Sequence, residues 1–187
     1  MRIISGIYGG RKINGKIPAG VRPTSDLARE SIFNKLSHLI DIDEKMIADV
    51  CAGTGAMGIE CLSRGAKHCV FVDSSRKSCD FIRQTMNELK IDKEQYSVLN
   101  KKSEKFPAFI QENYPDVKFD IIITDPPYIS NTINQLLQDV VDKNLLNEEG
   151  IIIAEYASTA GIILPEELQL IDERQFGETQ ISYIEYK

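Results

Sequence analysis

An acid, two prolines and an aromatic ring follow one of the most apolar stretches of the chain. The run Phe119-Asp120-Ile121-Ile122-Ile123-Thr124 is typical of a buried strand, and Asp125-Pro126-Pro127-Tyr128 comes directly after it. The Asp125 side chain and the Pro126 carbonyl can accept two hydrogen bonds from an exocyclic amino group, and Tyr128 can stack on the base that carries it. These groups suit methylation of an amino nitrogen on a nucleobase. The alternative is a rigid turn without chemistry.

Glycines follow an earlier predicted strand in the order of a nucleotide-binding turn. The strand is Met46-Ile47-Ala48-Asp49-Val50-Cys51, and Gly53, Gly55 and Gly58 then fit the pattern G-x-G-x-x-G before a predicted helix. This pattern is weak by itself. It suits a dinucleotide pyrophosphate at a helix amino terminus, and it equally suits another adenosine-containing cofactor.

Two carboxylates near these glycines narrow the choice of cofactor. Asp49 lies four residues before Gly53, where it would repel a pyrophosphate but attract the ammonium and sulfonium of S-adenosylmethionine. Asp73 ends the next predicted strand, where an acid accepts hydrogen bonds from ribose hydroxyls. Asp73 does not separate NAD from S-adenosylmethionine, because both carry that ribose. For Asp49, a buried acid bound to backbone amides is the structural alternative.

Together these motifs resemble class I methyltransferases, and the amino-terminal residues are similar to one family among them. The motifs are Asp49-x-x-Ala-Gly-Thr-Gly-Ala-x-Gly-Ile-Glu60, Leu62-Ser63-Arg64-Gly65-Ala66, Val72-Asp73 and Asp125-Pro126-Pro127-Tyr128. Met1-Arg2-Ile3-Ile4-Ser5-Gly6-x-Tyr8-x-Gly10-Arg11 and Arg22-Pro23-Thr24-Ser25-Asp26-x-x-x-Glu30-Ser31 resemble the RsmD family. That family comprises the 16S rRNA guanine-966 N2-methyltransferases of bacteria. The combination is specific, whereas each motif alone is not.

The resemblance implies S-adenosylmethionine as the cofactor and 16S rRNA in the small ribosomal subunit as the substrate and partner. The methyl group is expected on the N2 amino group of a guanine, with no metal required. The implied catalytic residues are Asp125, Pro126, Pro127 and Tyr128. The implied cofactor-binding residues are Asp49, Cys51, Gly53, Thr54, Gly55, Gly58, Asp73 and Ser74, with Arg22 and Thr24 in a segment over the cleft.

One stretch departs from the general class I pattern. After the third core strand, where an acidic or amide residue often contacts adenine, the chain reads Asn100-Lys101-Lys102-Ser103. We therefore carry over no adenine contact from this loop, and main-chain groups or Ser103 are the alternatives.

The charge of the chain is unevenly distributed. Residues 1–25 contain five basic and no acidic side chains, whereas the remaining 162 residues contain 17 basic and 28 acidic ones, and the net charge is −6. A basic segment on an acidic body indicates a localised RNA-contacting element; a solvated hairpin is the alternative. The candidate RNA-binding residues are Arg2, Arg11, Lys12, Lys16 and Arg22.

A length of 187 residues suits a single domain, and the alternation of predicted strands and helices indicates a mostly parallel α/β sheet. The resemblance implies that this sheet is Rossmann-like, with seven strands and helices on both faces. Residues 1–40 are expected to form a basic β-hairpin and a helix from Thr24 or Ser25 to about Leu39, with Leu27 on its apolar side. Residues 41–187 form the predicted catalytic core, which ends in an antiparallel hairpin. Four cysteines without C-x-x-C spacing, no long apolar run and no evident signal predict a cytoplasmic protein with free thiols, and we expect a monomer.

Three other functions fit part of the pattern. Asp-Pro-Pro-Tyr also occurs in adenine N6-methylases of DNA, although the basic amino-terminal segment favours RNA. An NAD oxidoreductase would share the glycine turn, but Asp49 counts against it. A ribosome assembly factor without catalytic activity would share the fold, but an intact Asp125-to-Tyr128 motif counts against it.

Overall fold

Strands and helices alternate along the chain, as the sequence predicts. The computed structural model describes residues 1–18, 20–21, 24–126 and 132–187. The strands are β1 (Met46–Val50), β2 (His68–Asp73), β3 (Tyr96–Asn100), β4 (Phe119–Thr124), β5 (Leu146–Ala157), β6 (Leu168–Phe176) and β7 (Thr179–Tyr186). The helices are α1 (Asp26–Leu36), α2 (Ala56–Ser63), α3 (Arg76–Leu89), α4 (Phe106–Asn113) and α5 (Thr132–Asp142).

The seven strands form one sheet in the order β3-β2-β1-β4-β5-β7-β6. Strands β1 to β5 pair in parallel, and β7 is antiparallel to both of its neighbours. The chain moves outward from β1 to β3 and then crosses back to β4 on the other side of β1. This reversal leaves a crevice at the carboxyl ends of β1 and β4, which is where open α/β sheets bind ligands.

Successive side chains of a strand point to opposite faces of the sheet, and in the central strands both sets are apolar. Helices therefore cover both faces. On one face, Ile47, Ile121 and Ile153 pack in a cluster with residues of α1, α2 and α3. On the other face, Ala48, Ile122 and Ile152 belong to a cluster that includes residues of α4 and α5. The predicted mostly parallel α/β fold, with an antiparallel hairpin at its end, is confirmed.

The amino-terminal hairpin is shorter than a pair of full strands. It has one isolated antiparallel bridge, between Arg2 and Lys12, and Ile3 N–H donates to the Arg11 carbonyl at 3.0 Å. The buried Glu60 carboxylate of α2 fixes this segment by accepting the N–H groups of Ile4 at 2.8 Å and Ser5 at 2.9 Å. Side-chain anchoring therefore replaces much of the ladder that a longer hairpin would have.

The cap of helix α1 is Ser25, one of the two predicted residues, and its Oγ accepts the Ala28 N–H at 3.1 Å. The helix differs from its predicted form in where it ends, at Leu36 rather than about Leu39, and in which side chains it buries. The placement of Leu27 on the apolar side is wrong, because this side chain is 73% exposed. The buried polar position of α1 belongs instead to Arg29, which donates to the Arg2 carbonyl and to Asp26.

The cysteines at positions 51, 61, 69 and 79 are free thiols. Within the described ranges, none of the helices has the length and apolar character that crossing a membrane requires. The same residues contain no cluster of three or more His, Cys, Asp or Glu side chains suited to a metal ion.

Candidate active site

A cavity of about 600 Å³ opens at the carboxyl edge of the sheet, in the crevice between β1 and β4. Its walls come from the ends of β1, β2, β4 and β5, the start of β7, the first half of α1, and residues 20–21. The chain therefore places a ligand-sized space where the strand order reverses.

Four carboxylates line this cavity, and each comes from a different one of four neighbouring strands. They are Asp73 at the end of β2, Asp49 in β1, Asp125 after β4, and Glu155 near the end of β5. Each lies two residues after a side chain in the cluster that packs against α1, α2 and α3, so the strand period of two directs all four to that face. The result is a row of acids in which Asp49 lies two residues further from the carboxyl edge of the sheet than the other three. Such a row favours a cationic ligand or a ligand rich in N–H donors.

The carboxylates of β1 and β2 are bound to the glycine turn. Asp73 accepts the Gly53 N–H at 2.8 Å on one oxygen and the Ser75 N–H at 2.7 Å on the other. Asp49, which is 4% exposed, accepts the Gly58 N–H at 2.9 Å. Burial raises the pKa of Asp49 to about 7 and the charge of Asp73 adds to the increase, while the Gly58 hydrogen bond opposes it. Carboxylate oxygens accept more than one bond, so these contacts orient both acids while leaving acceptor capacity.

The three glycines of the turn have different roles. Gly53 lines the cavity with a φ of +55°, so its backbone can approach a ligand closely. Gly58 faces the sheet, where a Cβ would collide with the Phe71 ring and the Cys69 sulfur. Gly55 lies similarly against Ile82 and Phe71. Gly55 and Gly58 therefore allow α2 to pack closely against the sheet and α3. They hold the glycine turn in place and are not among the residues that line the cavity.

Cys51, Thr54, Ser74 and Thr24, which are among the candidate cofactor-binding residues, also line the cavity. Burial raises the pKa of Cys51 to about 12, so this side chain is a neutral thiol at neutral pH. Thr54 is buried, and its Oγ lies 3.8 Å from the Met1 sulfur, which brings the start of the chain to the cavity.

The stretch after β3 contacts the loop after β2. The Asn100 amide donates to the Asp73 carbonyl at 3.0 Å and to the Ser74 carbonyl at 2.9 Å. Lys101 lies over the Phe109 ring, with its nitrogen 4.2 Å from the ring centroid. Asn100 thus holds the loop that carries Asp73 and Ser74, a supporting contact that sequence reasoning did not assign.

Asp125 follows β4, so in the order of the strands it lies between Asp49 of β1 and Glu155 of β5. Its N–H donates to the Val50 carbonyl at 3.3 Å, which extends the pairing of β1 with β4 by one residue. Burial raises the pKa of Asp125 to about 8, and the charges of Glu155 and Asp49 add to the increase. Pro126 is buried and lines the cavity. The predicted site residues Pro127, Tyr128 and Arg22 lie outside the described residues.

Glu155 is a cavity residue that motif reasoning missed. Thr24 Oγ donates to its carboxylate at 3.4 Å, which connects β5 to the segment before α1. A signal was present in the sequence, because Glu155 lies near the end of a predicted strand in the way that Asp49, Asp73 and Asp125 do. Beside it, Ile153, Ile181 and Phe176 form an apolar wall of the same cavity.

Arg2, Arg11, Lys12 and Lys16, the candidate RNA-binding residues that the structure describes, are exposed but lie at different distances from the cavity. Arg11 donates to the carbonyls of Leu89 at 3.1 Å and Glu88 at 3.2 Å, at the carboxyl end of α3. This end is about 20 Å from the cavity, because α3 starts beside Ser74 and spans 14 residues. Gly15 packs on the Phe81 ring, which is near the middle of α3, so the next residue, Lys16, lies beside the middle of that helix. Arg2 pairs with Asp26 at 3.5 Å.

Comparison with known proteins agrees with this architecture. The family model described as "Conserved hypothetical protein 95" matches residues 1–185. Ribosomal RNA small subunit methyltransferase D of Haemophilus influenzae is 31% identical over 177 residues, which cover 95% of this chain and 89% of that protein. The solved structure of the putative methyltransferase yhhF from Escherichia coli has a TM-score of 0.84 and 25% identity, covering 100% of this chain and 98% of that one.

A more distant structure shares the fold alone. The putative methyltransferase SMU.776, solved in complex with SAH, has a TM-score of 0.70 and 16% identity over 84% of this chain and 49% of that one. The sheet order and the site at its switch point define a class I methyltransferase fold. The chain belongs to the RsmD family of methyltransferases, which confirms the expected family and enzyme class.

Proposed function

We propose that this protein transfers a methyl group from S-adenosylmethionine to the N2 amino group of a guanine in 16S rRNA. By family resemblance the nucleotide is guanine 966, in an assembling or assembled small ribosomal subunit in the cytoplasm. The observation that carries this proposal is the row of four carboxylates across β2, β1, β4 and β5, with Asp125 at the junction of its two halves. One half suits the cofactor, and the other half suits the base that receives the methyl group.

The cofactor half is formed by Asp73, Asp49 and the loop that contains Gly53. Asp73 is at the end of β2, where a carboxylate reaches ribose hydroxyls. Asp49 is a buried acid at this cavity, and a cation bound beside it favours its charged form, so this half favours a sulfonium over a neutral or anionic group. S-adenosylmethionine supplies an electrophilic methyl group when it is bound.

The catalytic half acts through positioning. In this proposal the Asp125 carboxylate and the Pro126 carbonyl accept hydrogen bonds from the amino group, so the nitrogen lone pair is directed at the methyl donor. Because Asp125 has a raised pKa, it is also suited to receive the proton that the amino nitrogen loses after methylation. Tyr128, which lies outside the described residues, is assigned to stacking on the base, and Arg22 and Thr24 to covering the cleft.

RNA as the substrate is supported by the family and by the basic amino-terminal segment. The H. influenzae relative is named for methylation of small-subunit ribosomal RNA. Lys12 and Lys16 are exposed, and the segment that carries them lies against α3. Because these lysines are away from the cavity, they suit contacts with phosphates of a folded RNA that extends beyond the target nucleotide. The target guanine would have to be turned out of its stack to reach the cavity.

The proposal is tested by transfer of labelled methyl from S-adenosylmethionine to small subunits that lack the modification. Naked 16S rRNA and duplex DNA run in parallel, and the product nucleoside is identified by mass spectrometry. We expect N2-methylguanosine in the subunit. N6-methyladenine in DNA would contradict the substrate and favour the adenine methylase alternative. Cofactor binding without transfer to any of the three would contradict the enzymatic role and favour an assembly factor.

A further inference from the structure

We propose that Glu155 recognises the N1–H of the target guanine and so selects guanine over adenine. This inference rests on the proposed function and deepens it. Asp-Pro-Pro-Tyr chemistry does not distinguish the amino groups of the two bases, so the choice of base has to come from another part of the cavity. Glu155 lies on the strand next to Asp125, on the side of the row away from the cofactor half.

The register of the sheet places Glu155 beside Asp125. Thr124 of β4 pairs in parallel with Ala154 of β5, so Asp125 and Glu155 follow at equivalent positions on neighbouring strands. Such strands are about 4.8 Å apart, and both side chains face the same side of the sheet. The charge of Glu155 contributes to the raised pKa of Asp125, which agrees with this proximity. Two acceptor groups therefore lie side by side at the edge of the cavity.

Glu155 lines the cavity beside an apolar wall and close to the segment before α1. Its backbone pairs with Ile181 of β7, and Ile181 and Ile153, each 1% exposed, form the apolar wall next to it. Thr24 donates to one carboxylate oxygen at 3.4 Å. A carboxylate has about four acceptor positions, so Glu155 can accept a bond from a ligand in addition to its bonds within the protein.

The two bases present opposite patterns to this pair of carboxylates. The Watson–Crick edge of guanine has two adjacent donors, N1–H and the N2 amino group. With the N2 amino group on Asp125, the N1–H faces the neighbouring acceptor, Glu155. Adenine carries an N6 amino group next to N1, which is an acceptor, so its lone pair would face the Glu155 carboxylate without a proton between them. Leaving two acceptors opposed in a buried site is unfavourable.

The test separates recognition of N1–H from recognition of the amino group. Small subunits are reconstituted with either guanine or 2-aminopurine at the target nucleotide, because 2-aminopurine keeps the 2-amino group but has a bare N1. The wild-type protein is expected to methylate guanine at least about 10-fold faster, in kcat/KM, than 2-aminopurine. Glu155→Gln is expected to reduce that ratio about 10-fold or more, because a carboxamide can donate to the bare N1. Glu149→Gln, an exposed change on the same strand, is the matched control and should keep the wild-type ratio.

Two results would overturn the assignment of Glu155. One is a wild-type protein that methylates both bases equally well, which needs no variant and so does not depend on folding. The other is a Glu155→Gln protein with normal cofactor affinity and the wild-type ratio, since a merely structural role leaves the ratio unchanged. A wild-type protein that methylates no guanine N2 at all would contradict the proposed function itself, and this outcome is distinct from the other two.

Discussion

At the residue scale, the site holds more negative charge than a ligand-free protein easily accommodates. Asp49 is buried and Asp125 is half-buried, and this burial raises the pKa of Asp49 to about 7 and that of Asp125 to about 8. Their ionised forms are therefore unfavourable until a cation or N–H donors reach the cavity. This cost is typical of sites where binding, rather than stability, determines which residues are present.

The pH dependence of stability follows from these raised pKa values. An acid whose pKa rises from about 4 in the unfolded chain to about 8 when folded keeps its proton better in the folded protein. Its favourable contribution is complete below about pH 4 and is lost as the pH rises towards 8. We expect ligand-free Asp125→Asn to gain stability relative to the wild type between pH 5 and pH 9, by on the order of 2 kcal/mol.

Denaturant unfolding of both proteins at several pH values checks this expectation. Asp116→Asn, the same change of carboxylate to amide at an exposed position in the loop before β4, is the control. A stability difference between wild type and Asp125→Asn that stays constant from pH 5 to pH 9 would contradict the raised pKa.

At the element scale, the amino-terminal segment is attached to the core at several separate points. Glu60 of α2 binds the N–H groups of Ile4 and Ser5, Arg29 of α1 binds the Arg2 carbonyl, and Arg11 binds the end of α3. Arg11 satisfies carbonyls of the last turn of α3, which have no partners within the helix. It therefore has a structural role that its basic character alone did not reveal.

Replacing each of two neighbouring basic residues with alanine separates a structural role from a role in RNA binding. Arg11→Ala should lower the free energy of unfolding by about 1 kcal/mol, because the last carbonyls of α3 lose a charged donor. Lys12→Ala should leave stability within about 0.5 kcal/mol of the wild type, since Lys12 is exposed. Urea denaturation measures both. Equal losses for the two variants would show that the contact of Arg11 with Leu89 and Glu88 contributes nothing to stability.

Much of the fold and part of the site follow from local sequence patterns. Apolar runs such as Ile121 to Ile123 identified the strands, and short connections identified the final hairpin, because period and turn length are local properties. Asp49 and Asp125 were found because a glycine or proline motif follows each of them, and Asp73 because it ends the strand after the glycine turn. Glu155 was missed because no such motif marks it, and its meaning depends on the pairing of β5 with β4.

Other differences have the same cause. Leu27 is exposed because the apolar face of α1 is defined by contacts with distant strands, and Arg29 is buried because its partners are Arg2 and Asp26. The cap at Ser25 was one of two sequence alternatives, and only the helix geometry decides between them. The separate tasks of Gly53, Gly55 and Gly58 also depend on tertiary packing that a motif does not contain.

At the scale of the whole molecule, the basic segment extends from the far end of α3 to the mouth of the cavity. Arg11 marks one end, Gly15 packs on Phe81, and Gly20 and Val21 line the cavity itself. Net negative charge elsewhere disfavours binding of nucleic acid over the rest of the surface. Together these features suit one orientation of a folded RNA, with phosphates along α3 and one base in the cleft.

Reversal of charge at Lys16 tests this path. Lys16→Glu should raise the KM for small subunits several-fold and reduce its salt dependence, because one phosphate contact is lost, while cofactor affinity stays unchanged. Lys187→Glu, with the same change of charge at an exposed position after β7, is the control. Steady-state methylation at several salt concentrations gives the answer. Equal effects of the two substitutions would indicate only a response to net charge.

We assign Asp125 to the reacting half of the cleft and not to the cofactor half. The most direct measurement compares methyl transfer to small subunits and the Kd for S-adenosylmethionine in the wild type and in Asp125→Ala. We predict that transfer falls by at least about 100-fold, while the Kd changes by less than about 10-fold. Loss of cofactor binding in parallel with activity, or transfer at the wild-type rate, would contradict the account.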